Sequence, residues 1–161
     1  MRRGAIPNSR VLGKILALTL SVVLVFAVLP SAHAIYGFQE SDYQLQEKSN
    51  YCGIALMQSF TPEVSQDEIA AELFKTRGTL TYWGDFNYYF DGRQINYHYT
   101  SLDNEFPAVV LLEAGTFGLS QNHFVLVLGK KNNFYTIFDP LKGIYRKPAM
   151  YLNGMKALVI E

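Results

Sequence analysis

The 161-residue chain contains a single cysteine, Cys52. One thiol cannot close an internal disulfide, so the paired-cysteine framework of small exported domains is excluded. The sequence also lacks a group of cysteines and histidines with the spacing of a zinc site. Most free cysteines behave as small buried apolar residues. The cysteine count alone therefore favours a buried, inert thiol over a reactive one.

Basic residues are scarce outside the N-terminus. The chain carries 14 basic and 14 acidic side chains, but Arg2, Arg3, Arg10 and Lys14 all lie in the first 34 residues. Residues 35–161 therefore carry ten basic and fourteen acidic side chains, a formal charge of −4. Because phosphate binding requires a basic patch, this balance argues against nucleic acid as a partner.

The apolar run near the N-terminus, residues 15–28, is shorter than the roughly 20 residues that a bilayer span requires. It follows a positive N-terminus and precedes small residues typical of a cleavage site, which predicts a secretory signal peptide over residues 1–34. An uncleaved N-terminal anchor is the alternative. Residues 35–161 are then expected outside the cytoplasm, either secreted or periplasmic, or membrane-associated through residues 15–29 if the segment is retained.

Helical patterns dominate the first half of residues 35–161, a length that suits one domain with a single core. Residues 52–60 place apolar side chains on one face. Ser65 and Glu68 match a capping box at the start of a second helix, and Gly78 is expected to end it. The aromatic stretch 82–90 is ambiguous, and we interpret it as a short helix.

Strand patterns dominate the second half of the chain. Alternating or continuous apolar segments predict strands near residues 95–99, 107–113, 124–128, 134–138, 144–146 and 157–160. Residues 129–133, Gly-Lys-Lys-Asn-Asn, indicate a hairpin turn. Helices followed by an antiparallel sheet define an α+β fold class. This order places Cys52 at the first turn of a helix and His123 at the start of a strand.

Cys52 is the candidate nucleophile, because the unpaired N–H groups at a helix N-terminus stabilise a thiolate. Gly53 beside it is expected to let a substrate backbone approach closely. Two histidines lie beyond residue 34. His98, within Tyr-His-Tyr on a strand, is interpreted as an ordinary packed or surface residue. His123 follows a glycine-rich polar loop and begins an apolar strand, a position that faces a cleft, and is the candidate base.

Two further residues complete a candidate site. Asp139 ends the strand that the hairpin pairs with the His123 strand, so its carboxylate could orient the imidazole. A plain strand-ending Asp-Pro turn is the alternative. Gln46, six residues before Cys52, could donate its amide to an oxyanion together with the backbone N–H of Cys52. An ordinary loop glutamine is the alternative for this residue.

Three segments together resemble the bacteriocin-processing, double-glycine peptidase family of the papain-like superfamily. They are Leu45–Ala55 with its Gln-to-Cys spacing and Cys-Gly pair, the His-led apolar strand 122–129, and Phe138–Gly143 with its Asp-Pro. The resemblance implies a papain-like fold, with N-terminal helices packed on an antiparallel sheet. It also implies Cys52 as nucleophile, His123 as base, Asp139 as its orienting partner and Gln46 as oxyanion donor, with no metal or other cofactor.

Two features depart from the family. Members commonly carry an acidic residue before the nucleophile, where this chain has Tyr51. The best-known members are cytoplasmic domains fused to ABC transporters that cut leader peptides after Gly-Gly. The present sequence contains no Walker A motif and carries an export signal. The leader-peptide substrate is therefore not expected to carry over.

The function that we predict is that of an exported thiol peptidase acting on a peptide or protein substrate. An acyl transferase or amidase using the same residues is one alternative, and a non-catalytic peptide-binding module is the other. The central aromatic residues could line a peptide groove, although packing is the commoner use of such side chains.

Overall fold

The computed structural model describes residues 42–75 and 79–161. The expected signal peptide or anchor over residues 1–34 and the expected helix end at Gly78 lie outside the described residues. Within the described ranges, no helix has the length and apolar character needed to cross a membrane.

Three α-helices lie in the first half of the described chain: α1 (Cys52–Phe60), α2 (Gln66–Glu72) and α3 (Trp83–Gly92). The predicted start of α1 at Cys52 is confirmed. The predicted capping box of α2 is confirmed too, since the Ser65 side chain accepts from the Glu68 N–H and the Glu68 carboxylate accepts from the Ser65 N–H at 2.9 Å. The short helix predicted in the aromatic stretch is α3.

The second half forms a six-stranded sheet in the order β1-β6-β2-β3-β4-β5. Its strands are β1 (Tyr97–Ser101), β2 (Ala108–Leu112), β3 (His123–Lys131), β4 (Phe134–Asp139), β5 (Gly143–Pro148) and β6 (Lys156–Ile160). Every neighbouring pair is antiparallel. The predicted α+β class and the papain-like arrangement of helices on an antiparallel sheet are confirmed.

The β3–β4 hairpin is tighter than the sequence predicted. Its strands extend to Lys131 and from Phe134, so only Asn132 and Asn133 form the turn. Both asparagines adopt the left-handed conformation, with φ of 50° and 59°. This conformation at two successive residues is the requirement of a type I′ turn, and asparagine tolerates it. The strand therefore continues through Gly129, which the sequence had assigned to the loop.

Alternation along β3 divides the core into two layers. Phe124, Leu126 and Leu128 pack with the helices on one face of the sheet. Val125 and Val127 point to the other face, where they join a second apolar cluster. The residues of α1 from Cys52 to Ser59 are buried, so this helix is held firmly against the sheet. The packing brings the N-terminus of α1 to the start of β3.

Candidate active site

Cys52 is the first residue of α1 and is only 6% exposed. The backbone N–H of Phe124 on β3 donates to its Sγ at 3.5 Å. The first turn of α1 contains no acidic residue, so no carboxylate there competes for the positive end of the helix dipole. The sulfur therefore lies at the positive end of the α1 dipole, beside a backbone N–H donor.

His123 and Asp139 form a direct pair beside this cysteine. His123 Nε2 lies 2.7 Å from Asp139 Oδ1, and the two residues are 2% and 1% exposed. The Cys52 side chain is close enough to the imidazole to raise its pKa. Because Asp139 occupies Nε2, Nδ1 is the ring nitrogen that remains for an interaction with the sulfur. The structure thus brings together three residues that are far apart in the sequence.

The charges of this group reinforce one another. Burial by itself lowers the pKa of His123, but the hydrogen bond to Asp139 and the interactions with the Asp139 and Cys52 side chains outweigh it and raise that pKa to about 9. Burial likewise disfavours the Asp139 carboxylate, yet hydrogen bonds from His123 and the Leu141 N–H hold its pKa below the ordinary value. At neutral pH, His123 is therefore an imidazolium between Asp139 and the sulfur.

Tyr145 on β5 is a contact of Asp139 that the sequence reasoning missed. Its hydroxyl donates to Asp139 Oδ2 at 3.3 Å, while Oδ1 also accepts from the Leu141 N–H at 2.8 Å. Burial and the charge of Asp139 raise the pKa of Tyr145, so its hydroxyl stays protonated and can donate. Only the β4–β5 register, which pairs Tyr145 with Ile137, brings it to the carboxylate. The sequence predicted both strands but not their register, and so it did not reveal this contact.

Gln46 lies near the group, but its side chain is engaged elsewhere. Its backbone N–H donates to the Pro140 carbonyl at 2.9 Å, which ties the Gln46 loop to the segment after Asp139. Its side-chain amide donates to the Lys48 carbonyl at 3.1 Å. Among the hydrogen bonds of the described residues, none joins this amide to Cys52. The structure therefore places the Gln46 loop at the site without directing the amide at the sulfur.

Gln66 is a second residue that the sequence reasoning missed, and it clamps the Gln46 loop. Gln66 is 1% exposed. Its amide nitrogen donates to the Leu45 carbonyl at 2.7 Å and to Gln58 Oε1 at 3.0 Å, and its oxygen accepts from the Glu47 N–H at 2.9 Å. The two backbone contacts flank Gln46. Because Gln58 belongs to α1, the clamp joins this loop to the helix that carries the cysteine.

Gly53 has a different neighbour from the one expected. A Cβ built on Gly53 would lie 2.5 Å from Thr81 Cγ2, closer than such atoms approach in real proteins. The glycine thus makes room for the Thr81 side chain, which fills the place expected for a substrate backbone. Cys52 and Thr81 border a hollow of about 270 Å³. Its apolar walls are formed by Leu80, Tyr82, Trp83, Leu111 and Phe124.

His98 takes no part in this group. Its ring nitrogens contact Glu161 at 2.9 Å and Glu105 at 3.0 Å on the protein surface, as expected for an ordinary surface histidine. Within residues 42–75 and 79–161, no cluster of three or more His, Cys, Asp or Glu side chains could hold a metal ion.

The three helices packed on a six-stranded antiparallel sheet match the papain-like peptidase fold. No protein-family model matches the chain, and no curated protein sequence matches it. Among solved structures, the peptidase domain of Streptococcus ComA, a bifunctional ABC transporter of a quorum-sensing pathway, is similar to it with a TM-score of 0.56 and 18% identity. That likeness covers 73% of this chain and 95% of the ComA domain.

Two further structures show the same fold. A double-glycine-motif protease from an AMS/PCAT transporter, solved with its leader peptide, has a TM-score of 0.56, 17% identity and coverage of 72% of this chain and 87% of its own. The Streptococcus mutans ComA peptidase domain has a TM-score of 0.53, 18% identity and coverage of 74% and 98%. The predicted resemblance to double-glycine peptidases is thereby confirmed as a resemblance of fold.

Proposed function

We propose that the chain is an exported thiol peptidase in which Cys52 is the nucleophile, His123 the general acid and base, and Asp139 the residue that orients the imidazole. The observation that carries this proposal is the buried His123–Asp139 hydrogen bond of 2.7 Å, on a ring whose pKa the nearby Cys52 side chain also raises. The peptidase domains that share the fold support it.

In the proposed reaction, the Cys52 thiolate attacks the carbonyl carbon of a peptide bond, and the carbonyl oxygen takes up the negative charge. His123 gives its Nδ1 proton to the leaving amine, the C–N bond breaks, and an acyl-enzyme remains. Water then attacks the thioester while His123 accepts its proton. Release of the carboxylic acid restores the starting pair. Asp139 holds Nε2–H throughout, so Nδ1 remains the nitrogen that exchanges the proton.

The oxyanion would accept from the backbone N–H of Cys52 and from the Gln46 side-chain amide. Since that amide now donates to the Lys48 carbonyl at 3.1 Å, it must turn toward the substrate when one binds. This change of hydrogen-bond partner costs little because one oxygen acceptor, the oxyanion, replaces another, the Lys48 carbonyl. Replacing Gln46 by alanine is expected to lower kcat more than it changes KM, since the oxyanion exists only along the reaction path.

Alkylation of Cys52 tests the first requirement of this mechanism. The purified full chain is treated with iodoacetamide at neutral pH, and modification is followed by mass spectrometry against free glutathione as reference. An activated thiolate reacts faster than glutathione, and His123→Ala removes the advantage. Since Cys52 is the only cysteine, the label is unambiguous. Labelling no faster than glutathione would contradict the catalytic role.

Product analysis separates the remaining alternatives. The chain and its Cys52→Ala variant are incubated with a mixed peptide library, with and without a primary amine acceptor. Free carboxyl groups dependent on Cys52 identify a hydrolase, either a peptidase or an amidase, whereas new amide products identify an acyl transferase. Peptide retention without either product identifies a binding module.

Export and the nature of residues 1–34 form a separate part of the proposal, supported by the charge and apolar pattern of that segment. Expression of the full chain in a bacterium, followed by N-terminal sequencing of the extracytoplasmic fraction, tests it. A mature N-terminus at Ile35 is expected. An intact N-terminus in the membrane fraction would instead identify an anchor, and an intact soluble chain in the cytoplasm would refute export.

A further inference from the structure

Lys156, the first residue of β6, has its ammonium group held by two aromatic rings. Its Nζ lies 4.2 Å from the centre of the Tyr99 ring and 5.0 Å from the centre of the Trp83 ring. The two rings also contact each other, with centroids 5.7 Å apart and planes at 77°. Because aromatic faces attract a cation, this corner of two rings gives the ammonium a defined position although Lys156 is exposed.

The Lys156 ammonium differs from other lysines of this protein in having no carboxylate partner. Lys48, Lys75 and Lys130 each form a salt bridge with an aspartate. Among the salt bridges of the residues that the structure describes, none involves Lys156. A lysine carries three N–H donors, and ring faces offer no lone pairs to accept them. The ammonium is therefore available to an anionic ligand.

The sheet register places Lys156 two strands away from the β3 backbone at the candidate nucleophile. Ala157 on β6 pairs with the residue before Leu111 on β2, so the same register sets Lys156 beside Leu111. Leu111 in turn pairs with Phe124 on β3, whose N–H donates to Cys52 Sγ. Neighbouring strands lie about 4.8 Å apart, so the backbones of Lys156 and Phe124 are separated by roughly 10 Å.

Trp83 connects the ammonium to the cysteine on the same side of the sheet. Its ring contacts the Lys156 ammonium and, at a centroid distance of 5.0 Å, the Phe124 ring. Trp83 and Cys52 also border the same hollow, and the described residues around that hollow include no Asp, Glu, Lys or Arg. Lys156 therefore adds a local positive charge beside the hollow, although residues 35–161 carry a formal charge of −4.

From these observations we propose that Lys156 binds a carboxylate of the substrate, and that Trp83 and Tyr99 hold its ammonium in place for this contact. The proposal rests on the proposed peptidase function and adds a substrate class, peptides with an acidic group near the cleaved bond. An extended residue spans about 3.3 Å, so a separation of roughly 10 Å corresponds to about three residues. The carboxylate is that of an Asp or Glu side chain or of the peptide C-terminus.

Cleavage of matched peptides by the full chain tests the carboxylate contact. The peptides carry glutamate or glutamine at successive positions on either side of the cleaved bond, each with a free or an amidated C-terminus. At one position, glutamate is expected to exceed glutamine by about two- to fivefold in kcat/KM, as an exposed ion pair allows. The difference should shrink at high salt. A preference for free over amidated peptides would instead identify the C-terminal carboxylate as the bound group.

Charge variants of Lys156 assign the preference to this side chain. Lys156→Gln should abolish it, and Lys156→Glu should reverse it toward peptides with lysine at the same position. Lys156→Arg keeps the charge and can stack on the rings, so it should retain the preference. The matched control is Lys131→Glu, which makes the same change of charge at the opposite end of β3 from His123 and should leave the preference unchanged.

A binding assay keeps this test independent of catalysis. Trp83 is the only tryptophan and contacts Lys156, so its fluorescence reports binding in a Cys52→Ala chain. The glutamate peptide should change the emission at about two- to fivefold lower concentration than its glutamine analogue. The same comparison in a chain that also carries Lys156→Gln should show equal concentrations.

The outcomes separate the carboxylate contact from the peptidase function. Carboxylate-selective binding that Lys156→Gln removes, in a protein that cleaves nothing, would keep the contact and refute the peptidase. Cys52-dependent cleavage with equal kcat/KM for glutamate and glutamine peptides, and for free and amidated ones, would keep the peptidase and overturn the contact. A preference that Lys156→Gln leaves intact would also overturn it.

Discussion

Replacing Gln66 by leucine tests whether the buried clamp positions the Gln46 loop. The substitution keeps a side chain of similar size but removes three hydrogen bonds, to the Leu45 carbonyl, the Glu47 N–H and Gln58 Oε1. The side chain is 1% exposed, so water cannot reach its position easily. The three partner groups would lose the contact that holds the loop against α1.

The expected loss of stability follows from these contacts. An ordinary intramolecular hydrogen bond contributes about 1 kcal/mol net, and a buried group left without a partner costs about 1–3 kcal/mol. The Gln58 contact is buried, while the two backbone contacts are partly accessible and can recover water. We therefore expect Gln66→Leu to lower the free energy of unfolding by about 2–4 kcal/mol, measured by urea denaturation.

The catalytic effect should exceed what lost stability explains. If the loop relaxes, Gln46 no longer sits where its amide can reach the oxyanion, and removal of one such donor typically costs about 10²–10³ in kcat. Partial displacement should lower kcat by roughly tenfold or more with little change in KM. Turnover is measured on a peptide substrate at a temperature where circular dichroism shows the variant fully folded.

Two variants sharpen this experiment. Gln66→Glu retains an oxygen that accepts from the Glu47 N–H. Its second oxygen replaces the amide nitrogen and cannot donate to the Leu45 carbonyl or to Gln58 Oε1. This variant should therefore resemble Gln66→Leu at neutral pH. Thr61→Val is the matched control for stability alone, because it removes buried contacts of 2.6 Å to Tyr89 and 3.1 Å to Met57 at the far end of α1. Unchanged kcat in a folded, destabilised Gln66→Leu chain would refute the positioning role.

Three further predictions concern the residues around the sulfur. Because the pKa of His123 rises to about 9 in the folded protein from about 6.5 when unfolded, the imidazolium contributes stability that is complete below pH 6.5. This contribution, roughly 3 kcal/mol for a buried group, is lost as the pH rises through 9, together with turnover. Urea midpoints and kcat from pH 6 to 10 measure both effects. If the free energy of unfolding of the unsubstituted chain changes with pH as it does in His123→Gln, the assignment is contradicted. Tyr145→Phe should lower kcat by only about two- to fivefold, because its hydroxyl donates over a long 3.3 Å; unchanged kinetics would show that the ring merely packs. Gly53→Ala should destabilise the fold by about 1–3 kcal/mol and reduce activity, since its Cβ meets Thr81 at 2.5 Å. Thr81→Gly in the same chain should recover the stability, and no recovery would mean that another contact is responsible.

The sequence predicted those parts of the site that depend on local signals. The apolar face of residues 52–60 placed Cys52 at a helix start, and the hairpin placed Asp139 beside the His123 strand. Helix periodicity and strand alternation extend over only a few residues, so they can be recognised in a single sequence. The hairpin turn was predicted too long, because the pattern alone did not show that two asparagines suffice for both left-handed positions.

By itself, the sequence determined the α+β class, the order of the elements and the candidate roles of Cys52, His123 and Asp139. Only the tertiary structure decided that Gln66 clamps the Gln46 loop, that Tyr145 bonds Asp139 and that Thr81 lies against Gly53. The clamp and the Thr81 contact join segments about 20 to 28 residues apart, whereas the Tyr145 contact depends on the register of two strands. The first two contacts arise from the packing of helices and sheet into one core, and such packing leaves no periodic pattern in the sequence.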